Sequence, residues 1–223
     1  MYICVGNIAQ TIKMIIMENK VFNGSIFKGI DKIVSKDDLR PTMGVAYITK
    51  GNIVSTDAHV LTKINLKFFG LDEVSILKLE GKCIDGPTLQ RLGSLKTAER
   101  WFVNDQGFNI LKGSSGKVGL IYPLDNMEDI GKYPNFEAVI PTDLTEQSST
   151  SLNAQLLLNI DKVYSSNGGV GKDNLEMRFH GRNRAITMHS SCDMFLGLIM
   201  PLIKYFLNFN ISLTVFSKLF LYL

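Results

Sequence analysis

The chain has few of the residues that hold small domains together through disulfides or metal ions. Its 223 residues include three cysteines and three histidines. The cysteines are odd in number and lack a CxxC pair, so neither a disulfide framework nor a thiol-rich zinc site is predicted. The histidines lack the close spacing of a zinc-binding helix such as HExxH. We therefore expect no metal, no cofactor and a reducing, cytoplasmic environment for this chain, whose cysteines are Cys4, Cys83 and Cys192 and whose histidines are His59, His180 and His189.

A strong excess of either charge is also missing. The formal net charge is +3, which is too small to mark a dedicated nucleic-acid-binding domain, because such domains usually show a clustered basic excess. Any contact with DNA must come from the local placement of basic residues. With 45% hydrophobic residues the chain can bury a core as one large domain or two small ones.

The two ends of the chain are apolar but lack the features of export or membrane-spanning segments. Residues 1–16 have no basic region before the apolar run and no small-residue cleavage site after it, so we do not predict a secretory signal. A start at Met17 and a genuine extra element both stay open. In residues 203–223, Lys204 and Lys218 bound a stretch shorter than the roughly 20 apolar residues that cross a bilayer. We therefore favour an added buried helix, or translational read-through of a truncated gene, over membrane association through this tail.

Between the ends, helical and strand-like patterns alternate. Apolar residues at helical spacing predict a helix over 26–38, with Lys28, Lys32 and Lys36 on a separate face. Strands are predicted on both sides of a Gly51-Asn52 turn, and another over 74–80. A second helix is predicted over 87–95, followed by strands near 101–103, 108–111 and 118–122.

The pattern returns in the C-terminal third, where 152–163 reads as a helix and 175–179 as a strand. The repeat is roughly 50 to 60 residues long, which is typical of a fold built from similar units. The sequence therefore predicts an α+β fold of repeated units, each with a helix and an antiparallel sheet.

Two segments resemble parts of catalytic sites, but each lacks residues that the corresponding chemistry requires. Residues 166–172 resemble a phosphate-binding loop, but Ser166 and Asp173 stand where such a loop needs glycine and a magnesium-binding hydroxyl. A plain turn is favoured there. Asp57 and His59 would share one face of a strand, but no nucleophile accompanies them. We expect a structural polar pair and a protein that is not an enzyme.

Three motifs, in the same order, resemble the bacterial sliding clamp, the beta subunit of DNA polymerase III. Residues 40–61 have a strand, a Gly-Asn turn, a strand and Thr-Asp-x-His-x-Leu. Residues 133–141 resemble the family's Phe-Pro-Asp-Tyr-x-x-Val-Ile-Pro, and 197–202 its Val-Met-Pro-Met ending. The resemblance covers about 27–202, and implies a middle clamp domain followed by the second half of the last domain, with the first domain missing.

The resemblance implies about one and a half clamp domains. We expect an N-terminal extension over 1–24, a clamp-like domain over 25–142, a partial clamp-like domain over 143–202 and an apolar tail over 203–223. A stretch rich in serine and threonine, 142–151, separates the two clamp-like parts as a domain boundary should.

In the family, two of these motifs help line a hydrophobic pocket where short linear motifs of polymerases and repair proteins dock. Carried over by position, the resemblance implies a pocket formed by Thr56, Asp57, His59, Leu61, Pro141, Met200, Pro201 and Leu202. Two residues depart from the family, because Ala58 replaces a glycine and Val60 an arginine. The alternative is that the apolar members simply fill a core between domains.

Clamps contact duplex DNA through basic residues on helices, without reading bases. The resemblance implies this role for Lys28, Lys32, Lys36, Arg91, Lys96 and Lys162, and the alternative is an ordinary solvated helix face. The expected function is a sliding-clamp-like processivity factor in DNA replication. It would bind double-stranded DNA non-specifically, tether polymerase or repair proteins, and form a homo-oligomer. The alternative is a protein-interaction or membrane-associated adaptor without ring function.

Overall fold

The structure, a computed structural model, describes residues 20–112, 116–143, 151–165, 175–181 and 184–202. The predictions on residues 1–16, on the 166–172 loop and on the tail over 203–223 lie outside these ranges. Among the helices that are described, none is long and apolar enough to cross a membrane.

The described strands form two antiparallel sheets, one of four strands in the order β1-β6-β7-β8 and one of eight in the order β10-β11-β12-β4-β3-β2-β5-β9. With helices between the strands, this confirms the predicted α+β class. The strands are β1 (Phe22–Asn23), β2 (Val45–Thr49), β3 (Asn52–Thr56), β4 (Val60–Asn65), β5 (Lys82–Asp85), β6 (Arg100–Asn104), β7 (Gly107–Lys112), β8 (Lys117–Tyr122), β9 (Asp125–Asn126), β10 (Glu176–Arg178), β11 (Ile186–His189) and β12 (Phe195–Ile199).

Three meanders repeat along the chain: β2-β3-β4, β6-β7-β8 and β10-β11-β12. In each, every strand pairs antiparallel with the next. The first and third meanders are joined through their last strands, because β4 pairs with β12 from Val60 opposite Ile199 to Ile64 opposite Phe195. This junction makes the eight-stranded sheet continuous between distant parts of the sequence.

The described α-helices are α1 (Glu73–Leu79), α2 (Gly86–Gly93), α3 (Met127–Ile130) and α4 (Ala154–Tyr164). The predicted second helix is confirmed as α2, which starts where the Asp85 carboxylate accepts a 2.8 Å hydrogen bond from the Thr88 N–H. Leu89 and Leu92 on α2 are buried. The predicted helix of the C-terminal third is confirmed as α4, with Ile160 and Val163 in the core.

The predicted helix over 26–38 is wrong. Only Ile30–Lys32 form a single 3-10 turn, because Phe27 (φ 59°) and Gly29 (φ 87°) lie in the left-handed region, which an α-helix does not accommodate. Phe27 and Ile30 are nevertheless fully buried. The spacing therefore identified the buried face but not the backbone conformation.

The predicted strand over 74–80 is also wrong, since this segment is helix α1. The Asp72 carboxylate accepts a hydrogen bond from the Ser75 N–H and caps the helix. Ile76 and Leu79, three apart, are buried, whereas Leu77 is 73% exposed. The first hairpin has its turn at Lys50-Gly51, one residue before the predicted position, because Thr49 pairs with Asn52.

The inner strands of the eight-stranded sheet are buried on both faces. Ile53 and Ile64 join a large core with the helices, while Val54 and Leu61 join a smaller cluster on the other face. The segment from α3 to residue 140 covers that second face and contributes Met127 and Tyr133 among its buried residues. The candidate site opens at the margin of this smaller cluster.

Candidate partner-binding groove

A groove of about 190 Å³ lies where the β3–β4 loop, the end of β12 and the segment after α3 meet. We call it the loop groove. Its walls are largely apolar, and the side chains come from parts of the sequence that are far apart. The lining residues are Met43, Thr56, Ala58, His59, Val60, Leu61, Pro134, Asn135, Phe136, Val139, Leu198 and Met200.

The β3–β4 loop is held by its own polar side chains. The Asp57 carboxylate accepts hydrogen bonds from the N–H groups of His59 (2.8 Å) and Val60 (2.9 Å). The Thr56 hydroxyl donates to the Val60 carbonyl at 2.8 Å and accepts from the Ala58 N–H. The predicted placement of Asp57 and His59 on one strand face is therefore wrong, because both residues lie in a loop. Asp57 therefore holds the backbone of the loop through these two hydrogen bonds.

Ala58 occupies the position where the sliding-clamp motif has glycine. Its φ of 76° lies in the left-handed region, which glycine adopts readily and alanine at a cost. The hydrogen bonds of Thr56 and Asp57 hold this turn in place. As a result the backbone keeps a glycine-like turn, and the Ala58 methyl is added to the wall of the loop groove.

The segment after α3, which forms one wall of the loop groove, is attached to the sheet through Tyr133. Its hydroxyl donates to the Val54 carbonyl at 3.2 Å, and burial raises the pKa of Tyr133, so the donor keeps its proton. Phe136 packs edge-on against Tyr133, with ring centroids 6.4 Å apart. The Lys63 ammonium lies 5.9 Å from the centre of the Phe136 ring. These contacts place Phe136 beside the β3–β4 loop.

Of the pocket residues predicted from the sequence, the structure brings Thr56, His59, Leu61 and Met200 together in the loop groove. The Met200 N–H donates to the His59 carbonyl at 2.9 Å, which joins the end of β12 to the loop. Pro141 lies instead in an adjacent pocket of about 390 Å³ that shares Val139 and Met200 with the groove.

Three predicted residues remain. Asp57 does not line the groove but holds the β3–β4 loop, and Pro201 and Leu202 follow Met200 along the chain. Leu202 is exposed, and its N–H donates to the Ser151 carbonyl. Sequence reasoning did not assign Met43, Phe136, Val139 or Leu198 to the groove. Phe136 and Val139 belong to a motif that was recognised, and their apolar character next to two prolines was the available signal.

Two histidines and a threonine support the wall of the adjacent pocket. The buried His180 hydrogen-bonds the Asp143 carbonyl through Nδ1 and Thr187 Oγ1 through Nε2, at 2.8 Å for the latter. His189 Nε2 lies 3.0 Å from the same Thr187 oxygen. Asp143 also pairs with Arg184 at 2.9 Å, and its hydrogen bond from Arg184 lowers the pKa of the Asp143 carboxyl. No group of three His, Cys, Asp or Glu in the described ranges could hold a metal ion.

The lysines predicted to contact DNA are exposed and Arg91 is half-buried, and three of these six basic residues lie beside acids. Lys32 pairs with Asp31 at 2.7 Å, and Arg91 pairs with Glu99 at 3.1 Å. Lys32 and Lys36 border a cleft of about 460 Å³ that also contains Asp31, Asp37 and Asp38.

Backbone packing brings three of these predicted basic positions near one another. A β-carbon placed on Gly29 would lie 3.2 Å from the Lys162 β-carbon, and one on Gly93 would lie 3.0 Å from the Lys28 α-carbon. The segment with Lys28 therefore packs between the end of α2 and helix α4. Arg91, near the end of α2, belongs to the same region.

The paired meanders and the sheet that runs through them define a clamp-like α+β fold, and comparison with solved structures agrees. The chain is similar to the C. crescentus beta sliding clamp with a TM-score of 0.54 and 15% identity, over 83% of this chain and 65% of that one. For the Bacillus subtilis clamp the TM-score is 0.53 and the identity is 12%, over 84% of this chain and 64% of that one. For the Pseudomonas aeruginosa clamp the TM-score is 0.50 and the identity is 13%, over 83% of this chain and 66% of that one.

The TM-scores show similarity of fold at low sequence identity, and the predicted resemblance to bacterial sliding clamps is confirmed at that level. The chain spans about 65% of the length of the first of these clamps. No protein-family model and no curated protein matches the sequence.

Proposed function

We propose that this protein is a non-enzymatic, sliding-clamp-like scaffold that binds short peptide motifs of DNA polymerases or repair proteins in the loop groove. The observation that carries the proposal is the groove itself, which is assembled from the β3–β4 loop, the segment after α3 and the end of β12 within a clamp-like fold. In this function the protein contacts duplex DNA without sequence specificity and keeps its partners close to the DNA.

The chemistry of the loop groove suits an apolar peptide anchor. Leu61 and Leu198 form a buried floor, while Val139 and Met200 are half-exposed at the rim. Methionine adapts its shape to different ligands, and apolar anchors in such pockets supply most of the binding free energy of a peptide. The structure of the C. crescentus clamp, which has a similar fold, contains polyethylene glycol in a region named for beta-motif tethering, and this supports a tethering function for the fold.

The test is a change at the rim that leaves the buried floor intact. Met200→Glu places a carboxylate on the apolar wall, so its charge must be desolvated when an apolar anchor enters. We expect the affinity for fluorescent peptides with the clamp-binding motifs of bacterial polymerases to fall by about tenfold or more, the range of an interface hot spot.

The matched control is Leu77→Glu, an equally drastic change at an exposed leucine on α1, outside the groove. Fluorescence anisotropy compares both variants with the unchanged chain. Equal peptide affinity for Met200→Glu and Leu77→Glu, or no binding by the unchanged chain, contradicts the proposal.

The alternative function is a protein-interaction adaptor that keeps the loop groove but does not act on DNA. It is favoured by one observation, the pairing of predicted DNA-contacting cations with nearby acids, such as Lys32 with Asp31 and Arg91 with Glu99. Peptide binding without salt-dependent DNA binding would support this adaptor function.

A further inference from the structure

Each of the three meanders ends in a strand that could extend its sheet, and two of these end strands already pair with each other. β4 and β12 form a five-residue antiparallel ladder that joins their meanders. The third end strand, β8, pairs with β7 and lies at the edge of the four-stranded sheet as the described residues form it. Among the described residues there is therefore one junction between two end strands, and one end strand, β8, for which no such junction is described.

The side chains of β8 differ from those of the paired end strands. Val118, Leu120 and Ile121 are 44%, 46% and 42% exposed, whereas Val60 of β4 and Ile199 of β12 are almost completely buried. An edge strand with adjacent exposed apolar residues is a surface on which another strand pairs. The β4–β12 junction shows what covers such an edge in this fold.

The sequence of β8 matches that of the strand that covers β4. Val118-Gly-Leu-Ile-Tyr-Pro123 and Leu196-Gly-Leu-Ile-Met-Pro201 share glycine, leucine, isoleucine and proline at the same positions. In β12 this sequence lies against an end strand. Within the described part of the chain, β8 is thus an end strand with no strand on its outer side, and it also has the sequence of a covering strand.

We propose that β8 pairs antiparallel with β8 of a second copy of this chain, which joins two four-stranded sheets into one of eight strands. A two-fold axis through the middle of β8 places the apolar residues of one copy against those of the other, as in isologous dimers. Antiparallel pairing also places the two copies of Lys117 at opposite ends of the junction, so like charges do not face each other.

Two features make this junction weaker than the internal one. The β7–β8 ladder contains an irregularity between Ile110 and Leu111, and a bulge of this kind twists an edge away from a partner. Lys117, a charged residue at the start of β8, also disfavours pairing at this edge. The dimer should therefore dissociate on dilution, and its interface does not include the loop groove, so peptide binding is independent of it.

The experiment combines solution mass with hydrogen exchange on the full chain. Sedimentation of the unchanged chain over a wide range of concentration should show a reversible monomer–dimer equilibrium. Leu120→Lys adds a charge in the middle of β8 and should shift the chain to monomer, whereas Leu77→Lys, an exposed leucine on α1, should leave the dimer unchanged. Amide exchange in residues 117–122 should slow as dimer forms, and exchange in α1 should not.

Each other result overturns the inference. A chain that stays monomeric at all concentrations has no such dimer. A dimer that Leu120→Lys leaves intact, or one that forms without slowing exchange in β8, uses another surface. Strong protection of β8 in the monomer means that another part of the same chain already covers the edge. Circular dichroism of Leu120→Lys separates loss of the dimer from loss of the fold.

Discussion

Single polar side chains determine the backbone around the loop groove. Asp57 and Thr56 satisfy the N–H groups of the β3–β4 loop and hold Ala58 in its left-handed conformation. Tyr133 attaches the opposite wall to β3 through one hydrogen bond. The apolar lining of the groove is therefore positioned by polar residues that do not themselves offer an apolar surface to a peptide.

At the residue scale, His189 should make the stability of the fold depend on pH. Burial is the largest cause that lowers the pKa of His189 below its ordinary value of 6.5, with a further contribution from Arg178, while Asp193 and Glu176 act in the opposite direction. Because the folded chain binds this proton less readily than the unfolded chain, the contribution of His189 to stability is complete above pH 6.5 and decreases as the pH falls below it.

His189→Gln removes this titration, so the free energy of unfolding should fall less steeply below pH 6.5 than in the unchanged chain. The measurement is urea unfolding at a series of pH values. Leu77→Gln, at an exposed leucine on α1 that carries no titrating side chain, is the control and should keep the original slope. An unchanged slope in His189→Gln would show that other groups cause the acid sensitivity.

The resemblance to sliding clamps implied part of the candidate site at this scale. Thr56, His59, Leu61 and Met200 were predicted from the sequence and meet in the loop groove. Met43 and Leu198 were not predicted, because their position depends on how β2 and β12 reach the same sheet face. That information is in the strand pairing and cannot be derived from local sequence.

At the element scale, the packing of β12 against α4 leaves no room for a side chain at Gly197. A β-carbon there would lie 2.8 Å from Ile160 Cγ2 and 3.1 Å from its Cδ1. Gly197→Ala should therefore lower the free energy of unfolding by about 1–3 kcal/mol, the usual cost of overpacking. Urea unfolding measures this loss.

A double-mutant cycle identifies the cause. Ile160→Ala removes the atoms that the new methyl would meet, so the two changes together should cost less than the sum of each alone, with a coupling of about 0.5–3 kcal/mol. Gly86→Ala is the control, because its β-carbon would make only an ordinary 3.9 Å contact with Val34. Additive losses would show that steric contact with Ile160 is not the reason for glycine at 197.

Elements differed in how well the sequence predicted them. Helix α2 was predicted because proline in its first turn and its leucine spacing agree with the structure. The segment around Ile30 has the same apolar spacing, but Phe27 and Gly29 turn the backbone into the left-handed region, which side-chain periodicity does not reveal. Alternating side chains in 74–80 suggested a strand, but this segment forms helix α1. Asp72 caps the helix, and its buried residues Ile76 and Leu79 are three positions apart.

At the scale of the whole molecule, the region around Lys28, between α2 and α4, is where we expect DNA contact. Lys28→Glu combined with Lys96→Glu should weaken binding to duplex DNA of any sequence, because phosphate contacts carry no sequence information. The slope of log affinity against log salt should fall by about 2, roughly one for each lost phosphate contact. Anisotropy with labelled duplexes at several salt concentrations measures both.

The control for this prediction is Lys50→Glu combined with Lys132→Glu, which changes the charge by the same amount at exposed lysines in the first hairpin and in the segment after α3. Its effect should be limited to the small long-range change in charge. Equal losses for the two variants would assign the binding to net charge, and no binding by the unchanged chain would favour the adaptor function.

The β4–β12 junction also has a consequence for the order of folding. β4 lies in the first third of the chain, whereas its partner β12 is among the last described residues. During synthesis the ribosome releases β2, β3 and β4 long before β12, and long-range pairing of this kind slows folding. For that interval we expect the nascent chain to expose an apolar strand edge on which chaperones can bind, until β12 is synthesised and pairs with β4.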